Sequence, residues 1–386
     1  MRAIKYFTFL FLVNYFLLIV PAKAQDSSHI RISLLTCAPG TNELYEVFGH
    51  SGLRIIDSNS VTDYVFSYGN FNFNDKNFYL KFIRGKLLYF VDADNFEDFK
   101  YQYQSDNRSI TEQVLNLSAE EKIKTEQALI ENSREENKYY KYDFFLNNCT
   151  TRLRDIIQEN KHPHPIFKYV MPAGTTFRQA IHQYLDKGGK YWGELGIDIF
   201  LGQPTDAVMT IPQSEFLPDN LMKSLDSSNL GHQLILTKTS LFPVTNDGNN
   251  FSLFTPFNLF TLLFVIILLL SFSKNKLAQL FLKGFDGLYF LMTGLLGILL
   301  IFMWTATDHA MCKNNFNLLW AWPTNVIMAF FTNSNKVWVK SYFIISTAIL
   351  AIVLAVWFFL PQLMNNALIP LVLILIARSI SAYLKN

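Results

Sequence analysis

Cys149 lies in Asn147-Asn148-Cys149, just ahead of Leu153, Ile156 and Ile157, whose spacing puts three apolar side chains on one helix face. Asn is a preferred helix N-cap, so the pattern predicts that the thiol sits in the first turn of that helix. Unpaired N–H groups and the macrodipole favour a thiolate there, and the same amides can receive an oxyanion. The chemistry this suggests is covalent acyl transfer or amide hydrolysis through a thioester. Such a thiol needs a base, and among seven histidines His50 is the best placed. It follows Phe48-Gly49 and precedes a predicted strand, so its imidazole would stand at a rigid strand edge facing the helix start. Asn148 and Tyr68 both qualify to orient the imidazole or to donate to the oxyanion, and the sequence does not choose between them. Alone, Cys149 reads equally well as an inert buried thiol and His50 as a turn residue.

The elements that must position these groups are partly legible. Ser51 to Asp57 reads as a strand, Ser58-Asn59-Ser60 as a turn, and Thr62 to Tyr68 as a second strand, which together make a hairpin. The aromatic-rich stretch from Phe71 to Phe90 is expected to fill a small core; the sharper alternative is an acyl-binding or membrane-facing surface. Ser118 and Glu121 have capping-box spacing, and the charged run from there to Lys141 predicts a solvated helix face. Lys161 to Pro165 ends the cysteine helix. His162 and His164 in that loop are expected to be solvated, because no third metal ligand is evident. Thr176 to Leu185 predicts an amphipathic helix, whereas Gly193 to Gly202 reads as irregular, with Asp198 and Asp206 as loop-orienting carboxylates.

Charged residues make up 17% of the 386-residue chain and apolar ones 50%, against about 25% charged in soluble proteins. With a net charge of +2 and a mean hydropathy of +0.17, neither a disordered nor a nucleic-acid-binding chain fits. Three cysteines, Cys37, Cys149 and Cys312, cannot make a disulfide scaffold. The apolar excess is concentrated at the two ends. Arg2 and Lys5, the run Phe7 to Val20 and Pro21-Ala22-Lys23-Ala24 form a secretory signal expected to be cut after Ala24. Apolar stretches then recur at 257–272, 286–304, 317–332, 341–360 and 366–384, the third short and interrupted by Pro323. Lys274, Lys276, Lys283, Lys336, Lys340 and Lys385 mark alternate loops as cytoplasmic. The expected organisation is a signal peptide at 1–24, an exported domain at 25–250 and a five-helix transmembrane domain at 251–386. The large domain would then lie outside the cytoplasm on a multi-pass anchor. Asp308, His309, Cys312, Asn314, Asn317, Trp320 and Trp322 cluster in a predicted outer loop. No nucleotide loop, dinucleotide fingerprint or zinc spacing occurs, so neither cofactor nor metal is called for.

Several of these motifs carry a resemblance. Phe48-Gly49-His50-Ser51-Gly52-Leu53-Arg54, Tyr68-Gly69-Asn70-Phe71 and Tyr142 through Asp155 resemble the Lnb N-terminal periplasmic domain family. So do Trp192-Gly193, Gly196-Ile197-Asp198, Leu201-Gly202 and Phe216-Leu217-Pro218, and the Asp308-His309 and Asn317-Leu318-Leu319-Trp320 patterns extend the likeness into the membrane part. The resemblance implies a lipoprotein N-acyltransferase that moves a fatty acyl chain from a phospholipid to the α-amine of a diacylglyceryl-cysteine lipoprotein. The His-before-Cys order is similar to permuted papain-like, NlpC/P60-like enzymes, so the implied fold is an α+β exported domain followed by an all-α transmembrane domain. The implied site has Cys149 as nucleophile and His50 as base, Asn148 or Tyr68 in support, and Arg152, Asp308 and His309 toward substrate. The alternative is a membrane-anchored cysteine peptidase or amidase acting on cell-envelope peptides; five spans and an aromatic-rich domain favour lipid.

Overall fold

The structure is a computed structural model that describes residues 28–228, 233–242 and 252–384. The signal segment read at 1–24 lies outside the described residues. The amino-terminal domain is mixed α/β. Its strands are β1 (Ile30–Cys37), β2 (His50–Asp57), β3 (Thr62–Asn70), β4 (Leu88–Asn95), β5 (Ile110–Leu115), β6 (Tyr139–Lys141) and β7 (Ile235–Ser240). They form one sheet in the order β6-β4-β3-β2-β1-β5-β7, with antiparallel pairing throughout. The helices of this domain are α1 (Phe78–Ile83), α2 (Phe96–Ser105), α3 (Ala119–Ser133), α4 (Cys149–Asn160), α5 (Phe177–Lys187), α6 (Tyr191–Phe200) and α7 (Pro218–Ser227).

Side chains alternate across the sheet, so each face has its own core. Ile32, Leu34, Leu53, Ile55, Phe66 and Tyr68 point to one face and bury Leu153, Ile156 and Ile157 of α4. Leu35, Cys37 and Val65 point to the other and meet Phe96, Phe99 and Tyr103 of α2. The β2–β3 hairpin closes through Asp57, whose carboxylate accepts the Asn59 amide at 2.8 Å and the Ser60 hydroxyl at 2.6 Å. Ser118 and Glu121 cap α3 reciprocally, as their spacing predicts.

Three local expectations are corrected. The charged run does not stay helical to Lys141: α3 stops at Ser133, and Tyr139–Lys141 pairs with β4 as the edge strand β6. Residues 193–202 are not irregular but mostly α6. Gly193 lowers helix propensity, yet a β-carbon there would crowd the Leu44 side chain, so the glycine admits a close tertiary packing. The aromatic stretch is not a small core: Phe73 is 67% exposed, Tyr79 75% and Phe82 50%, and α1 buries none of its residues.

The carboxy-terminal part is helical, with α8 (Pro256–Phe272), α9 (Lys276–Thr305), α10 (Val337–Ala355) and α11 (Leu368–Leu384). Among the described residues, α9 and α10 are long and apolar enough to cross a membrane, while α8 and α11 are apolar but shorter. The third apolar stretch contains only a 3-10 turn at Phe316–Leu319 and a helical turn at Asn325–Met328. It runs antiparallel along α9 at very close range. A β-carbon at Gly297 would collide with the Ala321 carbonyl, and one at Gly294 with the Val326 amide. Apolar surroundings punish unpaired polar groups, and Asn325 is duly held by Thr293 at 3.3 Å and Tyr342 at 2.8 Å. A buried ion pair joins three of these helices: the Arg378 guanidinium of α11 forks onto the Asp286 carboxylate of α9 and donates to Ser271 of α8 at 2.7 Å.

Candidate active site

The thiol's position follows from one side chain. Asn148 Oδ1 accepts the Thr150 and Thr151 amides, each at 2.9 Å, and Thr151 Oγ1 returns the favour to the Asn148 amide at 2.8 Å. Its Nδ2 donates to the carbonyls of Phe144 and Phe216, each at 2.8 Å. Cys149 is therefore the first residue of α4, half-buried beside the sheet. Across from it, β3 carries a bulge at Gly69, whose φ of +95° few L-residues tolerate. Cys149 and the Tyr142 ring flank that glycine.

Burial alone would raise the Cys149 thiol. The His50 charge, a hydrogen bond from His50, the Thr150 hydroxyl and the Ser51 amide outweigh it and bring the thiol down to about 7 from the usual 9.0. The other two cysteines go the opposite way: burial pushes both Cys37 and Cys312 up to about 12. The thiol that the chain keeps ionisable is Cys149.

His50 Nε2 is 2.6 Å from Ser67 Oγ. The two side chains the sequence offered beside it have other partners. Neighbouring residues of a strand point to opposite faces: Ser67 faces His50, while Tyr68 is buried with α4 and accepts from Asn132 at 2.9 Å. Asn148 caps α4 through Oδ1 and holds the Phe144 and Phe216 carbonyls through Nδ2. Ser67 is one residue away from the candidate the sequence offered, and the β2–β3 register was the missing signal. Behind it, Asp92 stands opposite Ser67 on β4. The Asp94 carboxyl is raised by burial and by Asp92 and Asp98, an effect that His50 opposes. An acidic strand edge thus backs the imidazole.

Arg152, expected to meet substrate, is turned to its own domain: Nε donates to Asn147 at 2.7 Å and the guanidinium lies 4.4 Å over the Tyr140 ring. Asp308 and His309 come to the side of the domain that carries Tyr142. Asp308 pairs with Lys141 at 3.3 Å, next to the Tyr142 that flanks the thiol, and His309 Nε2 lies 3.1 Å from the Phe82 carbonyl. Their partners are Lys141 and α1 rather than Cys149 or His50. The remaining polar residues of that loop do something else. Asn317 donates to the Asp198 carbonyl at 3.0 Å, Asn315 to Ile199 at 2.8 Å, and Gln362 to Leu201 at 3.1 Å. The last carbonyls of α6, which no intrahelical N–H can reach, are thus capped by amides from two membrane-side loops. Asp198 and Asp206 converge on the buried Arg178 at 2.6 Å and 3.0 Å.

Among the described residues, His182, Glu194 and Asp198 bring ligand atoms within 4.8 Å of one another. Asp198 already serves Arg178, His182 and Asn365.

A capped helix with a cysteine in its first turn near an imidazole, on an α/β domain joined to apolar helices, defines a membrane-anchored thiol–imidazole protein. Residues 21–181 match the Lnb N-terminal periplasmic domain and residues 248–386 the Lnb transmembrane domain. The chain belongs to the Lnb family, and it is a membrane protein with a periplasmic domain. Membership suggests a lipoprotein N-acylation role and hence an acyltransferase. No curated protein and no solved structure matches the chain.

Proposed function

We propose that this protein moves a fatty acyl chain from a phospholipid to the α-amine of a diacylglyceryl-cysteine lipoprotein through a thioester on Cys149. The observation that carries the reading is the Cys149 thiol in the first turn of a capped α4, where His50 and the Ser51 amide act to lower it. The thiolate attacks the donor ester; the S–C bond forms, the C–O bond breaks, and His50 returns a proton to the departing lysophospholipid oxygen. The acceptor amine then attacks the thioester. A C–N bond forms, the C–S bond breaks, and His50 takes the amine proton. The first-turn amides of α4 are suited to hold the oxyanion. The His-then-Cys order, with the cysteine helix packed on an antiparallel sheet, fits a permuted papain-like arrangement. The lysine-bearing loops fit a multi-pass anchor in the inner membrane with the catalytic domain outside.

Mass spectrometry of lipoprotein amino termini from cells with and without this protein tests the reading. The expected result is N-acylated cysteine in its presence and a free α-amine in its absence. Unchanged termini would overturn it, and release of envelope peptides by the purified protein would favour the peptidase alternative.

A further inference from the structure

The exposed aromatic stretch between β3 and β4 is continuous with the thiol. Tyr142, which flanks Cys149 at Gly69, stacks on Tyr89 with ring centroids 4.3 Å apart. Tyr89 meets Phe71 at 5.4 Å, and Phe71 meets Phe73 at 4.9 Å and Phe78 at 5.8 Å. Beyond them α1 turns Tyr79, Leu80 and Phe82 outward. An open groove of about 810 Å³, lined by Phe71, Phe73, Leu88 and Phe90 and by the polar Asp75 and Lys138, runs beside this ladder, a size in the range of small-molecule sites.

The place of α1 indicates what covers it. The Asp308 amide donates to the Arg84 carbonyl at 3.0 Å and His309 reaches the Phe82 carbonyl, so the end of α1 is fixed to the loop that follows α9. Trp304, a residue type favoured at bilayer surfaces, is the penultimate residue of α9. The stretch therefore sits at the mouth of the membrane domain. Its charge suits phosphate headgroups: Lys76, Lys81, Arg84 and Lys86 stand against a single acid, Asp75. Aromatic side chains with interspersed bases are the composition of an element lying in a bilayer interface.

We propose that residues 71–90 form a lipid lip: α1 rests in the outer surface of the bilayer, and the aromatic groove takes an acyl chain of a membrane phospholipid and leads its ester to Cys149. The inference rests on the acyl-transfer reading for its direction, but lipid occupancy of the groove is measurable without any transfer.

The full chain in phospholipid nanodiscs, carrying a photoreactive benzoylphenylalanine in place of Phe73 or Tyr79, should give protein–phospholipid adducts on irradiation, read by intact mass. The same probe at Tyr101 on α2, which is 71% exposed, should give none. In a Phe73→Ser/Tyr79→Ser variant, acylation of Cys149 from phospholipid should slow roughly tenfold or more, the loss expected when two rings no longer bury against a chain. Unchanged alkylation of Cys149 by iodoacetamide would verify the fold. Absent adducts at both positions, or wild-type acylation of the double variant, overturns the lip. Adducts together with a wild-type Cys149 that never accepts an acyl group would instead overturn the transfer reading and leave the lipid-binding groove standing.

Discussion

His50→Gln isolates the imidazole's contribution to the nucleophile. In the native protein burial raises the Cys149 thiol, and the two foremost opposing influences both come from His50. Glutamine keeps a polar side chain of similar reach but cannot carry the positive charge. Burial then dominates, and the thiol should return to its usual 9.0 or above from about 7. At pH 7 the thiolate fraction would drop from about one half to about one hundredth, a loss of roughly 50-fold. The assay is the pH dependence of Cys149 alkylation by iodoacetamide. Cys37 and Cys312 are buried and pushed up to about 12, so they stay silent over the same range. The native midpoint is expected near 7 and the variant's near 9 or higher. Linkage gives a second readout. A thiol whose folded value lies below its unfolded one contributes stability above pH 9.0 and loses it as pH falls through about 7. His50→Gln should therefore be less stable than the native protein at alkaline pH, with the gap closing below pH 7. A variant whose alkylation midpoint stays near 7 would refute the part assigned to His50 in lowering the thiol.

Ser67→Ala removes the 2.6 Å contact to the imidazole and should lower the rate of Cys149 acylation by roughly tenfold, with a displaced pH profile that Ser67→Thr restores. Tyr68→Phe, assayed alongside, should leave that rate unchanged and cost only about 1 kcal/mol in denaturant unfolding through the lost Asn132 bond. Asn148→Ala deprives α4 of its cap and should lower stability by about 1–2 kcal/mol, and somewhat more for the orphaned Phe144 and Phe216 carbonyls, seen as a depressed thermal midpoint. Asp286→Ala leaves the Arg378 charge buried without its carboxylate. A cost of about 3–5 kcal/mol is expected, read as earlier unfolding in detergent, and a paired Asp286→Leu/Arg378→Met replacement should recover most of it.

The sequence by itself determined what local chemistry and periodicity control. An asparagine cap ahead of α4, Cys149 in its first turn, the β2–β3 hairpin with its Ser58-Asn59-Ser60 turn and the capping box of α3 depend on residues within a few positions of one another, and all are present. The apolar stretches were legible for the same reason, because a bilayer imposes a run of hydrophobicity that needs no tertiary context. What the chain alone left open were facts about register and close approach. Whether Ser67 or Tyr68 faces His50 turns on a single-residue alternation set only when β2 and β3 pair. Gly294 and Gly297 look like helix weaknesses until the unwound 317–332 segment is seen lying against them. Asn315, Asn317 and Gln362 look like solvated loop residues until the open carbonyls of α6 arrive from more than a hundred residues away. Asp286 and Arg378 look like intrusions in apolar runs until three helices bring them together. In each case the partner that completes a buried polar or sterically tight group is distant in sequence, and only the folded chain supplies it.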